Sequence, residues 1–253
     1  MPAHLPVWLL AGFWGLIGAF SLVIGAAVAY LTRLGVRTTA AIMSFGCGIL
    51  ISAVAYDLIF DGFRTAGFRP IVLGAVAGSV AYALANWLVM RSGGRHRKRS
   101  GHQQQKVEEG GGLAIAIGSM LDGIPESVVL GVSLLGGGGV SLPVFAAVFL
   151  SNFPEGLSST SGMKKAGRSR AYVFGLWTAI ALLSGLAALL GAAFLGGASP
   201  RVLALVQAIA AGALLTMVAD TMIPEAVEGE HGAAGLLVVL GLLLAFCLSH
   251  RQG

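Results

Sequence analysis

Two neighbouring apolar stretches of this chain carry the same polar insert. The first contains Asp122-Gly123-Ile124-Pro125-Glu126, and the second contains Ser151-Asn152-Phe153-Pro154-Glu155-Gly156. Each places a polar residue four positions ahead of a glutamate, with a proline just before that glutamate. A spacing of four puts both side chains on one helix face. An acid at the centre of a membrane helix costs about 2.5–3.5 kcal/mol on the insertion scale, so paired acids at that depth point to function. The two inserts look like halves of one cation site, with Asp122, Glu126, Ser151, Asn152 and Glu155 as its oxygen donors. A proline also disrupts the helix bond to the carbonyl four residues earlier. Those carbonyls belong to Leu121 and Leu150 and add backbone oxygen beside the side chains. A divalent cation would neutralise most of the buried charge, which is a physical reason for three acids to gather.

The composition requires a membrane. The chain has 253 residues, 56% hydrophobic and 11% charged, with a mean hydropathy of +0.85. A soluble domain carries roughly 25% charged residues. The 38 glycines suit helices that pack closely in lipid. The pI of about 9.6 does not require nucleic acid, because the basic residues cluster in short loops, where the positive-inside rule accounts for them. The two cysteines, Cys47 and Cys247, exclude a disulfide framework and are expected as small buried apolar residues. No cleavable signal peptide is evident, since Met1 to Pro6 lacks a basic start.

Apolar runs predict eight membrane helices, over 6–31, 38–60, 70–91, 112–135, 141–163, 171–195, 203–224 and 233–249. The expected fold is an all-α integral membrane protein forming one transporter domain. Residues 1–91 hold helices 1–3, 92–111 form a loop, and 112–253 hold helices 4–8. Twelve basic residues, from Arg33 to Arg170, fall on one side, against Arg64, Arg69, Arg201 and Arg251 on the other. That asymmetry places both termini outside and the 92–111 loop in the cytoplasm. The polar composition of the loop reads as a flexible linker.

Internal repetition is also visible. Gly48 precedes Asp61, and Gly212 precedes Glu225, by thirteen residues each. The two segments lie five spans apart and would run in opposite directions, as the fourth and fifth spans do. Inverted repeats, with helices 1–3 and 6–8 around proline-interrupted helices 4 and 5, are a secondary-transporter pattern.

The two inserts resemble the signature helices of the ZIP (Zrt/Irt-like) metal transporters, whose fourth and fifth of eight spans carry His-Asn-x-Pro-Glu-Gly or a close variant. The resemblance extends along the chain, through a polar loop after the third span and Ile223-Pro224-Glu225-Ala226 at the end of the seventh. It implies metal-ligand roles for Glu126 and Glu155. It places Asp122 where the family's first histidine stands, and Asn152 beside a second ligand position held by Ser151. Gly123 replaces the usual asparagine. The resemblance further implies import of a divalent metal by a swinging helix bundle, and a homodimer would fit the family. Neither signature helix contains a histidine. All-oxygen sites suit Mg²⁺, Ca²⁺ and Mn²⁺, and zinc also accepts carboxylate. The expected cargo is therefore zinc or a related ion such as manganese, iron or cadmium, with no resident cofactor.

Other polar residues carry less. Asp57 and Asp220 suit a pathway or a packing role, whereas Asp61 and Glu225 suit helix ends at the membrane interface. His4, His96, His102, His231 and His250 all fall outside the predicted spans and read as solvated. Glu228, Glu230 and His231 read as a hydrophilic turn. Ser158, Ser159, Thr160 and Ser161 suit either a path lining or helix glue. An intramembrane hydrolase using paired acids is a competing class, but HExxH and GxSxG are both absent and the inserts are symmetric. A cation sensor without flux is another. The expectation is a transporter and not an enzyme.

Overall fold

Backbone N–H and C=O groups have no water to bond in hydrocarbon, so a chain this apolar has to satisfy them internally as helix. The computed structural model describes residues 5–32, 34–107, 111–136, 141–229 and 232–250, and among them no strand occurs. Eight long helices follow one another: α1 (Val7–Leu31), α2 (Val36–Ala66), α3 (Phe68–Gly94), α4 (Gly112–Ser133), α5 (Leu142–Lys165), α6 (Arg170–Leu195), α7 (Pro200–Glu228) and α8 (Ala234–His250). Six of them (α1, α2, α3, α4, α6 and α7) are long and apolar enough to cross a membrane. The protein is thus a multi-pass membrane protein. Helix α5 has the length, 24 residues, but the polar run from Ser151 to Ser161 lowers its hydropathy, and α8 spans only 17 residues. Ser169 and Ser199 cap the starts of α6 and α7, each hydroxyl accepting a backbone N–H three residues on.

The helices sort into two groups. Helix α1 packs on α5 and α6, and α4 packs on α6. In the second group α3 packs on α7 and α2 on α8; α2 also meets α7 and, across to the first group, α5, where Gly46 leaves room for the Pro154 ring. Within each group, helices cross where a glycine lets one backbone touch the next. A methyl at Gly78 would lie 1.8 Å from the Ile209 carbonyl oxygen, and one at Gly212 would lie 1.8 Å from that of Ala75. Helices α2 and α8 cross the same way, with Gly48 against Val238 O and Gly241 against Phe45 O. Helices α1 and α5 do so through Gly25 against Phe153 O and Gly156 against Leu22 O. Such reciprocal approach is how helices associate where lipid removes the hydrophobic drive. The seam between the groups is filled mainly by side chains, among them Met43, Leu50, Val129, Leu130, Val144, Leu214 and Met217.

Helices α2 and α7 share a second feature. Each passes into a π-helical stretch, over Ala53–Phe60 and Val218–Met222 respectively. Both stretches follow a crossing glycine, Gly48 or Gly212, by about one and a half turns.

The loop after α3 departs from the expectation of a flexible linker. At the end of α3, Gly93, at φ 102°, takes the left-handed conformation open to glycine and breaks the helical path. Part of the 95–107 stretch then enters the bundle, where Arg97 is 1% and Lys98 3% exposed, while its two ends stay exposed. Ser100 and Gln104 are buried with them, and His102 remains exposed. Cys47 is buried as expected, whereas Cys247 faces outward from α8.

Candidate cation site

Helices α4 and α5 run unbroken through Pro125 and Pro154. All five predicted donors are buried: Asp122, Glu126, Ser151, Asn152 and Glu155 are each 1–3% exposed. Ser151 Oγ donates to Glu126 Oε1 at 3.2 Å, linking the two helices directly. The second Glu126 oxygen, Oε2, is buried with no hydrogen-bond partner among the described residues.

Two cations from the loop after α3 stand between these acids. Arg97 grips Asp122 as a fork, with Nε 2.9 Å from Oδ2 and Nη2 2.9 Å from Oδ1. Lys98 Nζ lies 2.9 Å from Glu155 Oε2 and 3.4 Å from Asp122 Oδ2, so one ammonium bridges carboxylates of α4 and α5. Tyr82 on α3 donates its hydroxyl to Asp122 Oδ1 and accepts from Arg97 Nη2. Among the described residues no three His, Cys, Asp or Glu side chains come together closely enough to hold a metal ion. The physical reason is visible: the guanidinium and the ammonium lie where the carboxylates would otherwise converge. Burial works against both cations, and the Asp122 carboxylate beside each outweighs it, so Arg97 and Lys98 are held protonated above their ordinary ranges.

The segment is fastened by its backbone as well. Ser158 Oγ donates to the Lys98 carbonyl at 2.7 Å, and Ser159 Oγ donates to that of Arg97. Gln104 Nε2, with two hydrogens to give, lies within 3.0 Å of the carbonyls of Arg97, Arg99 and Ser159. Glu225 Oε1 accepts the Ser100 N–H at 2.8 Å and the Ser158 hydroxyl at 3.0 Å. Arg99 pairs with the exposed Glu228 and donates to Pro224 O. Two glycines make the room. A methyl at Gly118 would lie 2.5 Å from Arg97 Cδ, and one at Gly162 would lie 2.0 Å from the Arg99 carbonyl oxygen.

Several expectations change accordingly. Glu225 is 3% exposed and anchors the loop from α7, so it is not an interfacial helix end. Ser158 and Ser159 hold the loop, Thr160 accepts the indole N–H of the buried Trp177, and Ser161 returns to its own helix. His96 is half-buried, and its Nδ1 has no hydrogen-bond partner among the described residues. Asp220 is exposed. His4, Glu230 and His231 lie outside the described residues. Asp57 accepts from Ser249 Oγ, and together with Asp61 it lines a separate cavity of about 310 Å³ among α2, α4, α5 and α7. No sequence motif marks Arg97, Lys98, Gln104 or Tyr82. The only signal was a run of adjacent basic residues, which composition assigns to solvent.

No protein-family model matches this chain, and no curated protein matches it either.

Proposed function

We propose that this protein transports divalent metal cations across the membrane into the cytoplasm, through a site built from Asp122, Glu126, Ser151, Asn152 and Glu155. The observation that carries this is the meeting of buried carboxylates from two proline-containing helices around two positive charges. Arg97 and Lys98 together supply the charge of one divalent ion, and each is bound by carboxylate oxygen. A cluster that holds that charge in a buried setting has the electrostatics a hard or borderline cation requires.

The helix arrangement supports movement as well as binding. Each group is locked internally by glycine crossings, and the groups meet across a side-chain seam, which suits rigid-body sliding of one against the other. The paired glycines and π-helical stretches of α2 and α7 support an inverted repeat within an eight-span protein. The Asp57–Asp61 cavity and the 95–107 segment lie towards opposite ends of α4, as an entrance and an exit would. These features favour the ZIP-like reading, with zinc, manganese, iron or cadmium as cargo and the 95–107 segment on the cytoplasmic side.

The test is uptake of Zn²⁺, Mn²⁺, Fe²⁺ and Cd²⁺ into proteoliposomes, comparing the natural protein with Glu126→Ala/Glu155→Ala. Saturable uptake lost in the variant is expected. No uptake of any metal by folded protein, with or without the 95–107 segment displaced, would overturn transport. Metal binding without flux would instead indicate a sensor.

A further inference from the structure

Three features of segment 95–107 are costly unless it is meant to lie in the bundle. It buries a guanidinium and an ammonium, each several kcal/mol dearer in the interior than in water unless paired. It brings backbone carbonyls of three successive residues (Arg97, Lys98 and Arg99) into the interior, where each needs a donor. It also demands space beside α4 and α5. The protein meets each demand from residues outside the segment or at its far end. Asp122 and Glu155 take the charges. Ser159, Ser158 and Gln104 take the carbonyls. Gly118 and Gly162 vacate the space. Helix α7 closes the back through Glu225 on the Ser100 N–H.

Resting on the transport reading above, we propose that segment 95–107 is a self-inhibitory plug. Arg97 and Lys98 act as tethered cations that occupy the carboxylates a divalent ion would take, so plug and metal exclude one another. The exclusion is electrostatic first. A divalent ion entering beside Asp122 and Glu155 would face two positive charges within contact distance of the same oxygens, and binding is favourable only if those charges leave. The plug also joins the two helix groups. Its side chains hold α4 and α5 of one group, while Ser100 and Arg99 hold Glu225 and Pro224 on α7 of the other. Seated, it pins the seam across which one group would move. Released, it frees the site and leaves the polar side of the seam held by Tyr82 on Asp122 and Ser158 on Glu225. Metal arriving at the carboxylates therefore displaces the plug and, with it, one tie across that seam.

Ser100 offers a reporter, because it is 1% exposed. Ser100→Cys, in a Cys247→Ser background that removes the exposed native thiol, is labelled in detergent with a polar maleimide. Three proteins are compared: this one, the same with Gly118→Leu, and the same with Asp122→Asn/Glu155→Gln. Gly118→Leu fills the space of Arg97 while leaving every carboxylate in place. The double variant removes the charges that hold the plug. Slow labelling is expected for the parent and a rise of about tenfold or more in either variant, given the weight of buried pairing on a local opening. Fast labelling of the parent, or no rise in a folded Gly118→Leu protein, overturns the plug. Mn²⁺ or Zn²⁺ is then added to the parent, where a saturable acceleration is expected. If metal leaves the rate unchanged in protein that Gly118→Leu opens, mutual exclusion is overturned. The transport reading is judged separately, by uptake. Acceleration by metal in a protein that carries no flux would keep the competition and remove the transporter.

Discussion

Lys98 and Glu155 meet at 2.9 Å, and both are almost wholly buried although 57 residues separate them in the chain. Neither residue is stable there alone. An ammonium or a carboxylate left unpaired in the interior costs several kcal/mol, and the pair offsets this only because Asp122 and Arg97 complete the cluster. The loop after α3 and helices α4 and α5 are thus one electrostatic unit.

The same reasoning fixes the effect of breaking it. Arg97→Ala leaves Asp122 with Tyr82 and Lys98 but without its fork, and truncating one partner of a buried pair costs about 3–5 kcal/mol. A clear fall in melting temperature in detergent is expected. Arg97→Met combined with Asp122→Asn should recover most of it, since both charges are then gone. An Arg97→Ala protein that melts with the natural one would show that the fork contributes nothing.

The glycine crossings give a second prediction. Gly78→Ala sets a methyl 1.8 Å from the Ile209 carbonyl oxygen and must push α3 off α7, whereas Gly191→Ala meets nothing within 4 Å. Overpacking of this kind costs about 1–3 kcal/mol. Removing a mid-helix glycine at an open position gains about 0.5–1 kcal/mol in water. Thermal unfolding of the two variants should therefore move in opposite directions, and equal shifts would contradict the close approach.

Selectivity supplies a third. Asp122 contributes hard carboxylate oxygen, and imidazole favours zinc over manganese. Asp122→His should raise the ratio of zinc to manganese uptake in proteoliposomes. An unchanged ratio would remove Asp122 from the ligands.

Acid should loosen the plug through His96. Partial burial first, and then the Arg99 and Arg95 cations beside it, hold its pKa below the ordinary 6.5, with Glu228 pulling weakly the other way. A histidine whose folded pKa is depressed adds stability above its unfolded value, and that stability is lost as pH falls through the folded one. Acidification from about pH 7.5 to about pH 5.5 passes below the unfolded value, where that stability starts to be lost. The natural protein should lose more melting temperature over that interval than His96→Gln. An equal loss would remove His96 from the linkage.

Much of this protein was written in local sequence. A helix in lipid is specified by one run of about 20 apolar residues, because its hydrogen bonds close within itself. The starts and ends of α1, α4 and α6 therefore follow the apolar runs closely. The ends of α2 and α7 do not: these helices continue to Ala66 and Glu228, through residues whose polarity reads as a boundary. Spacing along one helix was equally legible. Asp122 with Glu126, and Ser151 with Glu155, needed only the helical period to share a face.

What sequence alone determined, then, is the membrane class and the helices along apolar runs, since each rests on neighbours within a few residues. The tertiary structure decided what the acids of α4 and α5 meet. Whether Arg97 and Lys98 lie in water or in the bundle depends on partners up to 62 residues away, among them Asp122, Glu155, Ser158 and Ser159, and on room left by Gly118 and Gly162. A basic run is cheapest in solvent when judged by its own composition. Only the sum of distant carboxylates, hydroxyls and missing side chains reverses that balance and draws it inside.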